Sequence, residues 1–435
     1  MGKIKIAWIC HVSNAEIRDN IRIDKTSIKY NMLRLLGKLT PVRDYAKWNT
    51  NAINVFKKYN DVELHIISPH LQLSDKIVEF TSDGIHYHLF QSEDDSFMFR
   101  FKRKYLKGNY NTYHYDGNSR IICSLIDRIN PDIVHMMGAE NPLYSSSLLQ
   151  LNGNYPKLVT LQTLMSDPAF FGNYPISKDV YDYRVAVEQA VIKSADYICS
   201  NVEHFRNLVW SEIDPSIRFL DISLAVGENV VEEDCRKEFD FVYFAKEIEK
   251  ASDWAIEAFA RVCVSHPESI LNIIGAYGFQ YKSRLDLRID ELGIRDNIIF
   301  SGALPTHDDV MMQIRKARFA LLPLKIDVSS STIREAMANG IPVITTITPS
   351  TPKINLVRQS VLLSEKGDFE AMADNMRKLL DSEEFADEMR CNAYQTVRER
   401  YDNESIVAKW RDAYYSILKN RTSGTPVTME IIQDK

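Results

Sequence analysis

The chain lacks the features that would place it in several large classes. Its six cysteines (Cys10, Cys123, Cys199, Cys235, Cys263 and Cys391) are dispersed through 435 residues, with no C-x-x-C pair and no clustered histidine partners. Neither a zinc site nor a disulfide framework is indicated. No apolar run approaches the ~18 residues of a membrane span, and the run from Lys3 to Cys10 is too short for a signal-peptide core with its cleavage site. A cytoplasmic protein is expected. Met1-Gly2 is not a myristoylation signal, because position 6 is Ile6 rather than Ser or Thr. Net charge is -6, from 53 basic against 59 acidic residues, without the strong basic footprint of a nucleic-acid binder.

What is present is the composition of an ordinary soluble globular protein, 45% hydrophobic and 26% charged. The length suits two or three domains. Cys10, Cys123, Cys199 and Cys263 lie in apolar runs and are expected as buried packing residues.

Short β-rich runs alternate with longer amphipathic ones, the pattern of parallel βα units. In the first half, strands are expected at Ile4 to Cys10, Val62 to Ser68, Asp132 to Met137, Leu158 to Leu161 and Tyr197 to Ser200. A second series starts at Phe239 to Ala245 and continues at Ile270 to Ile274, Ile298 to Ser301, Ala317 to Leu324, Ile341 to Thr345 and Val361 to Leu363. The polar run Glu228 to Lys237 breaks the pattern between them. The chain thus reads as α/β, with two successive Rossmann-like doubly wound domains. No G-x-G-x-x-G follows either first strand, which weighs against a tandem dinucleotide oxidoreductase. Residues 421–435 carry little periodicity and are expected to be mobile or loosely attached.

The most informative stretch is Pro323 to Thr346, PLKIDVSSSTIREAMANGIPVITT. An apolar run gives way to Asp327 and three serines, then to Thr332-x-x-Glu335 opening a helix that ends at Asn339-Gly340. In an open α/β sheet, ligands collect where strand C-termini meet helix N-termini, and free N–H groups there favour an anion. A phosphate-bearing ligand is one reading. The other is a capping box, which would account for Thr332 and Glu335 without any ligand. Three further groups follow predicted strands of the same domain: Lys246 and Lys250, Gly275-x-x-Gly278, and Gly302-Ala303-Leu304-Pro305.

Together these motifs resemble the retaining GT-B glycosyltransferases of glycosyltransferase family 4, the glycosyl transferases group 1. That family carries two acidic residues separated by seven others, the second followed by Ala-Met-Ala-x-Gly-x-Pro-Val-Ile. Glu335 to Ile344 matches the string, and Asp327 stands eight residues before Glu335. The resemblance implies a GT-B architecture of two Rossmann-like domains facing a central cleft. Residues 1–225, completed by a C-terminal helix at 404–419, would bind the acceptor, and residues 226–403 the nucleotide-sugar donor.

Carried over residue by residue, Glu335 would hydrogen-bond the ribose hydroxyls. Ser329, Ser330, Ser331 and Thr332 would present N–H groups to the diphosphate, Lys246 and Lys250 would neutralise it as it departs, and Asp327 would contact sugar hydroxyls. Gly275, Gly302, Ala303 and Leu304 would border the nucleotide. The implied activity is metal-independent, retaining hexosyl transfer from a nucleoside diphosphate sugar, UDP ahead of GDP, to a hydroxyl of a glycan or lipid-linked saccharide. No cofactor beyond the nucleotide-sugar co-substrate is implied. Fixed cations and dipoles aimed at the developing charge suit this chemistry, at about 3 to 4 kcal/mol per donor lost.

The chain also departs from the family. The first acid is Asp327 rather than Glu, one methylene shorter. The basic pair is Lys-Lys rather than Arg-Lys, without the bidentate fork of arginine. Cys10-His11-Val12-Ser13-Asn14 replaces a Gly-Gly turn, so His11 or Asn14 is a cleft candidate, as are Glu140 and Asn141. Pro131-Asp-Ile-Val-His135 resembles the family's Pro-Asp-Val-Val-His-x-His with Met137 at the second histidine, and His135 is expected to pack. These departures motivate an alternative, a catalytically silent sugar-nucleotide scaffold or sensor. Segments 22–47 and 97–107 are basic and apolar and could rest on anionic lipid at the inner membrane face, the alternative for each being a solvated helix face.

Overall fold

The computed structural model describes residues 3–22, 44–70, 73–93, 115–168, 178–225, 231, 235–247, 251–326 and 331–431. Lys250, Asp327, Ser329 and Ser330 lie outside these residues, as do all of segment 97–107 and most of segment 22–47. The chain divides into two compact units, Met1–Ala225 with Asn403–Lys435, and Val226–Asp402. Among the described residues, no helix is long and apolar enough to cross a membrane.

The first unit is built on a nine-stranded sheet in the order β15-β8-β7-β6-β5-β1-β2-β4-β3. Its strands are β1 (Ile4–Ile9), β2 (Val62–His70), β3 (Ile77–Ser82), β4 (Ile85–Gln91), β5 (Ile133–Met137), β6 (Lys157–Thr160), β7 (Tyr197–Cys199), β8 (Phe219–Leu220) and β15 (Glu430–Ile431). Central strand β1 pairs in parallel with β2 and β5, Ile6 opposite both Leu64 and Ile133. Alternation divides its side chains between two cores. Ile6 and Trp8 face one, which the helix Asn403–Ser423 closes with Ile406, Trp410 and Tyr414. Ala7 and Ile9 face the other, with Ile122 and Ile126 of the helix Asp116–Ile129.

A hydrogen-bonded chain of four side chains fastens the C-terminal helix. Trp8 Nε1 donates to Tyr414 Oη at 2.9 Å, and that hydroxyl bonds His135 Nδ1 at 2.6 Å, while His135 Nε2 bonds Thr160 Oγ1 at 2.7 Å. Burial pushes the His135 imidazole down to about 3, so it is neutral and structural at any ordinary pH.

The second unit holds six parallel strands in the order β11-β10-β9-β12-β13-β14: β9 (Phe239–Glu247), β10 (Leu271–Ala276), β11 (Ile298–Gly302), β12 (Ala317–Leu321), β13 (Val343–Thr346) and β14 (Val361–Ser364). Counted within the unit this is 3-2-1-4-5-6, the doubly wound order, whose reversal between β9 and β12 opens a crevice at the strands' carboxyl ends. Runs such as Phe241-Val-Tyr-Phe244 are buried throughout, as expected of strands covered on both faces.

The structure adds what the strand pattern misses. The hairpin β3–β4 turns at Asp83-Gly84, both with positive φ (48° and 80°), as a two-residue loop requires. The tail expected to be loose is instead attached. The C-terminal helix continues to Ser423, Val427 is buried, and Glu430-Ile431 pairs antiparallel with β8 while Glu430 takes a two-pronged bond from Arg218. Of the cysteines, Cys10 and Cys199 are buried but Cys123 and Cys263 only half-buried.

Candidate active site

In the second unit the expected donor residues lie at the carboxyl edge of the sheet, where described. Lys246 is the penultimate residue of β9 and is exposed. Ala276 of β10 pairs with Glu247, after a register shift at Gly275, whose φ of 145° suits glycine. That pairing sets Gly275 beside Lys246. Just ahead of the helix Ser252–Cys263, Ala251 N donates to Tyr243 Oη at 3.2 Å.

After β12 the chain is fixed to β13 by side chains. Leu324 N donates to Thr346 Oγ1 at 2.8 Å, and Thr345 Oγ1 donates to Leu322 O at 2.7 Å. The helix that follows spans Ser331–Ala338. Thr332 is its second residue rather than its cap, so the capping-box reading of Thr332 and Glu335 is not the arrangement found. The residues from Ile333 to Ala338 are buried. Ile333 and Met337 enter the core, Arg334 lies 4.2 Å over the Tyr401 ring, and Glu335, 6% exposed, turns elsewhere. Its Oε1 stands 4.0 Å from His307 Nε2.

His307 is the residue that sequence reading overlooked. It opens the helix His307–Arg315, capped by a reciprocal Thr306–Asp309 box, and the loop leading into that cap is Gly302-Ala303-Leu304. Gly302 has φ of 67° and nothing within 4 Å of where a side chain would start; Ala303 and Leu304 are half-buried. The structure therefore brings the β11 loop and Glu335 together through His307. The signal available in sequence was a histidine directly after the Thr306 cap, five residues beyond Gly302.

In the first unit the edge groups around the ends of β1 and β5. His11 stacks on Tyr45 with centroids 4.2 Å apart and lies 6.4 Å from Tyr144. Gly138 has φ of 101°, and a Cβ there would fall 2.8 Å from both Glu140 Oε2 and Tyr144 Oη and 2.9 Å from Gln162 Nε2. Tyr144 and Gln162 both donate to Met137 O at 2.9 Å, and Arg184 Nε donates to Glu140 O at 3.0 Å. Glu140 Oε2 is shut off from solvent with no hydrogen-bond partner among the described residues. Desolvation, with a smaller push from the Glu188 charge, raises this carboxyl from 4.5 to about 7.

Two candidates prove to be caps. Asn14 accepts from Ile17 N at 2.8 Å at the start of the helix Ala15–Asp19, and Asn141 accepts from Leu143 N at 3.2 Å, with Pro142 next to it. Both patterns have an ordinary helix-start explanation. His11 and Glu140 are joined instead by Tyr144, Gln162 and Arg184, which no local motif marks.

Two α/β units of this construction, the second in doubly wound order, match the fold of GT-B glycosyltransferase structures. Comparison with known proteins agrees: residues 234–396 match the family model for Glycosyl transferases group 1, so the second unit carries a domain of that kind. The chain is similar to N-acetyl-alpha-D-glucosaminyl L-malate synthase of Bacillus anthracis, 25% identical over 311 residues that cover 70% of this chain and 79% of the other. In fold it is similar to sucrose-phosphate synthase from Thermosynechococcus elongatus, with TM-score 0.66, 15% identity, and 95% and 99% of the two chains covered. It is also similar to a trehalose-6-phosphate protein from E. coli bound with UDP-2-fluoro glucose, with TM-score 0.62, 11% identity, and 95% and 99% covered.

Proposed function

We propose that the protein transfers a hexosyl group from a nucleoside diphosphate sugar, UDP ahead of GDP, to a hydroxyl of a glycan or lipid-linked saccharide, with retention of anomeric configuration. The observation that carries the reading is Glu335. It is a nearly buried carboxylate at the carboxyl edge of the doubly wound sheet, beside the β11 loop through His307. A carboxylate accepts hydrogen bonds, and the two hydroxyls of a ribose are donors suited to it. The UDP-sugar held by the E. coli relative in fold supports the choice of base.

In the reaction so proposed, the bond between the sugar's anomeric carbon and the diphosphate oxygen breaks as the acceptor oxygen bonds that carbon from the same face. The acceptor's proton passes to the departing phosphate. Lys246 and Lys250, with the N–H groups of Ser329 to Thr332, stabilise the developing negative charge, and Asp327 contacts the sugar. These residues do the work of a divalent cation, so the chemistry is proposed to need neither metal nor further cofactor. On the acceptor side, Glu140, Tyr144, Gln162 and His11 offer donors and acceptors for hydroxyl groups.

Thermal shift with UDP-, GDP- and ADP-sugars tests the donor half. At ~100-fold excess over its Kd, the correct donor adds about 2.7 kcal/mol. Glu335→Ala should abolish the shift; an unchanged shift would remove Glu335 from the nucleotide site. Donor binding without turnover toward any acceptor would instead favour the silent scaffold.

A further inference from the structure

Along one face of the first sheet, toward the amino-terminal ends of β2 and β4, the alternation places a polar row where the rest of that face is apolar. Glu63 and His65 project from β2, His86 and His88 from β4, and Glu79 and Thr81 from β3. The register sets His65 opposite His86, His86 opposite Thr81 and His88 opposite Glu79. The imidazoles stack across the strands, His65 on His86 at 4.6 Å and 17° and His65 on His88 at 5.2 Å and 18°.

The histidines of this row have definite neighbours. His65 Nδ1 bonds His88 Nε2 at 3.0 Å, and His88 Nδ1 bonds Glu79, which Arg128 also pairs with. His86 Nδ1 bonds Thr81 Oγ1 at 3.0 Å. On the other side of its ring, His65 Nε2 lies 2.9 Å from Glu63 Oε1. One donor atom from each of Glu63, His65 and His86 lies within 4.8 Å of the others.

We propose that Glu63, His65 and His86 form a binding site for a divalent transition-metal ion of the zinc type, separate from the transfer chemistry. Two imidazoles and a carboxylate with a fourth position left to water are a donor set zinc accepts. Ligands held at about 2.0 to 2.2 Å in a tetrahedron sit about 3.4 Å apart, so these side chains need to close by only about 1.4 Å. The outer contacts are those a metal-ligating histidine requires: Thr81 orients His86, and the Glu79–His88 pair orients His65. Glu63 is one-third exposed, which leaves the ion an entry route, and the competing cation Lys5 stands 3.7 Å away with its ammonium also bonded to Ile129 O.

The site lies at the opposite end of the strands from Gly138 and Glu140, so the ion would brace the β2–β4–β3 edge rather than meet substrate. The test is equilibrium dialysis and calorimetry of the untagged full chain, stripped with chelator, against zinc chloride at pH 7.5. One equivalent is expected to bind, with affinity falling at least tenfold in His86→Gln and in His65→Gln. Melting of His86→Gln in chelator, expected within about 2 °C of the wild type on the scale of a surface substitution, checks that the variant folds. Cobalt chloride should give the visible absorption of a tetrahedral site in the wild type and not in His86→Gln. No bound zinc, or binding that both variants retain in full, would overturn the proposal.

Discussion

Gly340→Ala is a sharp test of how the Glu335 helix is held. Gly340 ends that helix with φ of 66°, and a Cβ there would lie 2.1 Å from Tyr394 Oη and 2.6 Å from its Cζ. Left-handed backbone costs a non-glycine residue about 1 to 2 kcal/mol. Moving the tyrosine ring adds an overpacking cost of about 1 to 3 kcal/mol. It also breaks the bond from Tyr394 Oη to Val231 O, 3.0 Å, at about 1 kcal/mol. The sum is about 3 to 6 kcal/mol, which at 2 to 4 °C per kcal/mol for a unit of this size lowers its melting by about 6 to 24 °C. Calorimetry of the wild type, Gly340→Ala, Tyr394→Ala and the double variant reads the terms apart. In the Tyr394→Ala background only the backbone cost of about 1 to 2 kcal/mol should remain. A penalty that is the same in both backgrounds, or below about 1 kcal/mol in the wild type, would refute the close-packing argument.

Two further outcomes follow from the first unit. Glu140 has its folded carboxyl raised from 4.5 to about 7, so its contribution is fully present below pH 4.5 and is lost as pH rises through 7; relative to Glu140→Gln, the wild type should lose up to about 3 kcal/mol between pH 5 and 8, and denaturant curves with the same pH dependence in both would contradict the desolvated site. If the acceptor is lipid-linked, segments 22–47 and 97–107 should pellet the protein with anionic liposomes at low salt and release it at high salt, whereas no binding at low salt would rule out membrane docking.

How much was legible in the sequence depended on the range of the forces involved. The six strands of the second unit were readable because buried parallel strands are nearly continuous in apolar residues, and their boundaries fell within a few residues of the observed ones. The β3–β4 hairpin was not read, although Asp83-Gly84 is a turn signal. Its strands alternate Glu79, Thr81, His86 and His88 with the apolar residues, which blurs the run. The tail was read as loose because a two-residue strand has no periodicity, and what holds it is an ion pair to Arg218, 212 residues away.

Site residues followed the same division. Glu335, Gly302 and Lys246 stand in strings that one loop or helix keeps intact, so a motif finds them. Tyr144, Gln162 and Arg184 converge on Gly138 and Glu140 from different elements and can be found only in three dimensions. Asn14 and Asn141 were taken for cleft groups because a polar residue after a strand suits a ligand and a helix cap equally. Only the hydrogen bonds to Ile17 N and Leu143 N distinguish the two.

The divided first unit has a consequence for synthesis. Its last 33 residues supply Trp410 and Tyr414, which cover Trp8 and satisfy its indole N–H. During translation those residues arrive only after the whole of Val226–Asp402, a delay of about 10 to 35 s at 5 to 20 residues per second. Throughout that interval the nascent sheet carries an open apolar face and a buried-type histidine without its phenol partner. The ribosome-bound chain is thus most in need of a holding chaperone midway through synthesis, and a stop codon between Asp402 and Trp410 leaves that need permanent.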